Sequence, residues 1–237
     1  MLKQIIKCLP VLLAALLMGG CGELSTPELA GRLASVIGTA DAAEALEVLG
    51  LPVDEKADGA SSYTLSACPE LVPEGIEADE SHLQFESFFE DEIASVGFIV
   101  RCENMSLSDA YQTMQSISDS LYEEYTTSAL DEIYIFWGSF GPREVVPFIE
   151  MYPTEADFRV AYENMSGDTF PELEVGDCWW TDETKTDYVA VRFRYTEEDT
   201  YFYWIAQNNA AYNEYGARLG PMILHTKNFF SNSGKIP

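Results

Sequence analysis

Few side chains in this chain of 237 residues can act as acids, bases or metal ligands by pattern, since its only imidazoles are His82 and His225. Neither sits in an H-x-x-H or H-E-x-x-H spacing or beside a cysteine, so neither a His-based metal centre nor a triad is expected. There is likewise no nucleophile elbow, no phosphate-cradling glycine loop and no dinucleotide fingerprint. Acids are so abundant, at 40 of them, that no chosen carboxylate pair stands out. The better lead is aromatic and cationic. Trp179, Trp180, Tyr188, Tyr195, Tyr201, Tyr203 and Trp204 crowd three short β-rich runs, and Arg192 and Arg194 alternate within one of them. Alternation puts Val191 and Phe193 on one side of a strand and both arginines on the other. With Tyr203 or Trp204 beside them, Arg192 and Arg194 form a platform for a protein, peptide or sugar ligand. The alternative is a packed sheet in which the aromatics are core and the arginine stems cover it.

Three cysteines, Cys68, Cys102 and Cys178, fall in the part of the chain that reads as folded. Cys68 and Cys102 end what read as neighbouring strands, and a disulfide between them is the expected pairing, with three buried thiols as the alternative. Cys178 has no C-x-x-C partner and reads as a small apolar residue. No cofactor and no metal ion is called for.

The elements around these residues follow from periodicity. Thr26 is the expected cap of a first helix with Pro27 in its first turn, and Thr39 or Asp41 caps a second that stops at Gly50 and Pro52. Strands are expected at Tyr63 to Cys68, Leu83 to Phe89 and Ser95 to Cys102. Ser106 then caps the clearest helix, with Leu107, Tyr111, Met114, Ile117, Leu121 and Tyr125 at helical spacing. A short strand at Ile133 to Trp137, a turn-rich stretch from Gly138 to Pro147 and a helix capped by Thr154 follow. Strands at Cys178 to Thr181, Tyr188 to Tyr195 and Tyr201 to Gln207 and a last helix from Ala210 to Arg218 close the chain. Antiparallel strands with helices between them indicate an α+β fold, an antiparallel sheet with helices packed on one face. The halves share one order, so a degenerate tandem of two helix–three-strand–helix units is an open alternative.

The first residues carry an address. Lys3 and Lys7 precede the apolar run Leu9 to Met18, which Gly19-Gly20-Cys21 closes, the pattern of an export signal. The run is shorter than the roughly 20 apolar residues that span a bilayer. Leu17, Gly19, Gly20 and Cys21 resemble the signal peptide of bacterial lipoproteins, with Met18 departing from the usual aliphatic residue. The resemblance implies that residues 1–20 are removed and that Cys21 is diacylated. The mature protein is then lipid-anchored at the outer face of the cytoplasmic membrane, or in an outer membrane where there is one. Residues 21–26 read as anchor and tether and 27–237 as one acidic domain, with a split into 27–128 and 129–237 as the alternative.

Losing Lys3 and Lys7 takes two of the 13 basic residues away from 40 acidic ones, so the formal charge goes from −27 to −29. Such a surface repels phosphate backbones, which excludes nucleic acid as a partner. The 47% hydrophobic content is enough for a real core in spite of the charge. From Ala57 to Val100 there is no Lys or Arg, and the acids there read as a solvated face, with a Ca2+ site or a basic partner as the alternative. The expected function is a non-enzymatic module that binds a protein or envelope ligand. A hydrolase using acids and an inhibitor of a secreted enzyme are the rivals.

Overall fold

The computed structural model describes residues 24–88, 92–125, 129, 148–165, 173–196, 198–211 and 214. Cys21, the expected strand at Ile133 to Trp137 and most of the expected last helix lie outside them.

The first helix, α1 (Thr26–Ala34), is capped by Ser25 and not by Thr26. Ser25 Oγ accepts the Glu28 N–H while the Glu28 carboxylate accepts the Ser25 N–H, a reciprocal box that leaves Thr26 inside the first turn. Helix α2 (Ala42–Leu49) starts at Asp41 and ends on Gly50, whose φ of 73° is the left-handed conformation of a helix stop. A hairpin-connected group follows: β1 (Ser62–Ser66), β2 (Glu80–Glu86) and β3 (Ser95–Glu103). The long helix α3 (Leu107–Glu124) is capped by Ser106 as its spacing predicts. Two shorter helices, α4 (Phe148–Met151) and α5 (Glu155–Met165), lead into β4 (Leu173–Trp180), β5 (Asp187–Tyr195) and β6 (Asp199–Asn208).

All six strands form one antiparallel sheet in the order β1-β2-β3-β6-β5-β4. It is thus two three-stranded meanders, β1 to β3 and β4 to β6, joined where β3 pairs with β6 from Ser95↔Gln207 to Glu103↔Asp199. Helix α1 lies over this seam, in contact with β3, β5 and β6, and α3 packs beside it. The α+β expectation holds, and the main core cluster among the described residues draws on both halves of the chain.

The period-two pattern in β2, where Leu83 and Phe85 are buried and His82, Gln84 and Glu86 are only half so, tells the two faces apart. Leu83, Phe98, Trp204 and Val191 follow one another across four strands on the helix-covered face. Strands β3, β5 and β6 are buried along nearly their whole length on both faces, as central strands are when each face is covered.

Candidate functional site

On the face away from the helices the register lines up two rows of side chains. The first runs Glu80, Arg101, Tyr201, Arg194 across β2, β3, β6 and β5, and the second His82, Ile99, Tyr203, Arg192. Arg101 is saturated with carboxylates: its guanidinium lies 3.0 Å from Glu80, 2.7 Å from Glu103 and 2.8 Å from Asp199. The bond to Asp199 and the charges around it hold the guanidinium firmly protonated. The Arg194 guanidinium carbon sits 5.0 Å from the centre of the Tyr201 ring, a cation–π distance, and Tyr201 stacks on Tyr203 with 5.9 Å between ring centres.

The expected platform is therefore half right in its neighbours and wrong in its exposure. Arg192 faces Tyr203 and Arg194 faces Tyr201, but Trp204 is the partner of Val191 and lies on the opposite face. There it packs against Phe98 and Phe202 and is 1% exposed, so Trp204 is core and not a ligand contact. Tyr203 and Arg192 are also buried, at 1% and 4% exposure, and only Arg194 of the four remains half-exposed. The aromatic crowding reports a sheet packed on both faces.

The thiols need a second correction. Cys68 and Cys102 are buried and free, as is Cys178. Strand β2 lies between β1 and β3, and Cys68, two residues past the end of β1, turns its thiol to the Leu65 carbonyl at 3.6 Å and not to Cys102. Burial pushes the Cys68 and Cys102 thiols up to about 11 and holds the Cys178 thiol well above the ordinary cysteine value. In the folded domain at pH 8 all three should resist iodoacetamide, and all three should label at once in denaturant. Mass spectrometry of the alkylated protein checks this; fast labelling of any of them in native buffer would show that its site is open.

Sequence reasoning missed Asp177. This acid is 0% exposed on the helix-covered face of β4. Ser118 Oγ of α3 donates to one of its oxygens at 2.5 Å and the Phe148 N–H at the start of α4 donates to the other at 2.7 Å. Burial, with a smaller contribution from the charge of Glu150, raises its pKa to about 6 in spite of these bonds. Beside it Trp179 meets the edge of Tyr122 at 5.0 Å. The only signal in the sequence is one acid before Cys178-Trp179-Trp180. With both oxygens taken by its own fold, Asp177 ties α3 and α4 to β4.

A half-open pocket of about 200 Å³ lies at the end of the sheet where β2 and β6 run out, lined by Ile37, Gly38, Ser87, Ile93 and Asn208 among others. It is smaller than the ~300–1,000 Å³ of most ligand pockets. Among the described residues no group of three or more His, Cys, Asp or Glu is placed to hold a metal ion, and no helix is long and apolar enough to cross a membrane. No protein-family model matches the chain, and no curated protein or solved structure is significantly similar to it.

Proposed function

We propose that the chain is the precursor of a lipid-anchored exported protein, acylated at Cys21, whose acidic α+β domain is a non-enzymatic module binding a protein or envelope ligand. The observation that supports it best lies three residues after Cys21. Leu24 is already buried, and its carbonyl accepts the Glu74 N–H at 2.8 Å. Only Gly22 and Glu23 separate Leu24 from the candidate lipid site in the sequence.

The hydrolase reading would need a carboxylate with raised pKa facing a cleft. Asp177 has the largest such rise among the described carboxylates but spends both oxygens on Ser118 and Phe148, which favours a structural role. The anchor is tested by growing cells with a labelled fatty acid. Wild-type protein should take up label and Cys21→Ser should not; equal labelling of the two would refute acylation at Cys21.

A further inference from the structure

We propose that the outer edge of β1 takes up an extended basic segment of a partner protein as an added antiparallel or parallel strand. This rests on the binding-module reading and names the partner's chemistry. The ladder bonds that flank β1 run from Ser87 N–H to Ser61 C=O and from Ala67 N–H to Ser81 C=O. With the unbroken register between them, Tyr63 and Leu65 bond to β2, while the N–H and C=O groups of Ser62, Thr64 and Ser66 point away from the sheet. These three residues are exposed, and no backbone hydrogen bond from a described residue reaches them. The other edge differs, because the Cys178 carbonyl of β4 accepts the Ala129 N–H at 3.0 Å. A row of unpaired, exposed backbone groups is a template for strand addition.

The side chains around that edge select the occupant. Ser62, Thr64 and Ser66 are short, and directly behind them on β2 stand Glu86, Gln84 and His82, with Glu80 next along the strand. A lysine or arginine on a strand added to β1 can pass over a hydroxyl residue to a carboxylate one strand further in. Glu86 is the natural recipient: it accepts one hydrogen bond, from Gln84 Nε2 at 3.1 Å, and no ion pair reaches it among the described residues. Burial of its carboxylate raises its pKa, a cost that an arriving cation relieves. On the other face half-buried Tyr63 and Leu65 offer apolar contact to the intervening residues. The segment that fits alternates basic and aliphatic side chains. A second copy of this chain would instead bring two strongly acidic surfaces together.

The test titrates the detergent-solubilised full chain with a short peptide alternating lysine and valine, and with its counterpart alternating glutamate and valine, by calorimetry and amide hydrogen exchange. The lysine peptide should bind saturably and slow exchange at Ser62, Thr64 and Ser66, and the glutamate peptide should not bind. Thr64→Pro removes an outward N–H and no ladder bond, so it should leave the melting temperature nearly unchanged and weaken binding by at least about tenfold. Glu86→Gln, which keeps the Gln84 bond, should weaken it by about fivefold. The proposal is overturned if the two peptides bind alike, if protection falls on another element, or if both variants bind as wild type does. Fatty-acid labelling at Cys21 reads on the anchor alone, so failure at the edge and failure of the lipoprotein reading are separate results.

Discussion

Trp204→Ala is expected to lower the unfolding free energy by about 3–5 kcal/mol, the larger part of the stability of a marginal domain. Trp204 stands near the middle of β6, pairs with Phe98 across the seam and with Val191 on the other side, and is 1% exposed. Truncation leaves a cavity ringed by Phe98 and Phe202, at 5.9 and 6.2 Å between ring centres, which the two central strands cannot collapse to fill. Among the described residues its indole N–H has no hydrogen-bond partner. Trp204→Phe therefore strands no polar group, and it should cost less than about half as much. Urea unfolding followed by far-UV circular dichroism measures both. An alanine variant as stable as wild type would mean that β6 does not occupy the centre of the sheet, and a phenylalanine variant as damaged as the alanine one would mean that the indole N–H is used.

Asp177 gives the second large effect, in the dependence of stability on pH. Its pKa of about 6 in the folded domain lies above the ordinary value of about 3.9 in an unfolded chain, so the folded state holds the proton more tightly. The stability this confers is fully present below about pH 4 and is lost as pH rises through about 6. A difference of two pKa units corresponds to about 3 kcal/mol. Asp177→Asn preserves an oxygen for the Phe148 N–H and an amide for Ser118, and it removes the ionisation. Relative to wild type, the midpoint of urea unfolding in the variant should rise more at pH 7 than at pH 4. Comparing the two proteins isolates this group from carboxylates such as Glu28 and Asp41, whose backbone hydrogen bonds lower their pKa values and which act with the opposite sign. Parallel pH profiles in the two proteins would show that Asp177 is solvated.

Local order was the legible part of the sequence, because it depends on periods that a few residues reveal. Leu83 and Phe85 against Gln84 and Glu86 mark β2, and the Ser106 cap with its apolar stripe marks α3. What escaped depends on contacts between distant residues. The β3–β6 seam pairs strands about a hundred residues apart, and no short-range pattern encodes it. Without that seam, β1 and β3 read as neighbours and a Cys68–Cys102 bridge looked natural; the actual order puts β2 between them. The run Tyr201 to Trp204 is aromatic at every position, so alternation could not assign Trp204 to a face, and only the register against Arg192 and Val191 does. Asp177 was invisible for a different reason. One acid among 40 acquires meaning when Ser118 and the Phe148 N–H arrive from α3 and α4.

The position of α1 over the seam bears on the order in which the molecule can assemble. The first described helix rests on the last described strand, β6, as well as on β3 and β5, so its buried face has no complete floor until nearly all of the described chain is free to fold. A polypeptide emerging amino end first, from a ribosome or through an export channel, cannot close this core around its leading element early. Loop closure over such separations is slow. Premature compaction is thereby delayed by topology, and truncations that stop short of Asp199 lose the seat of α1 together with the strand.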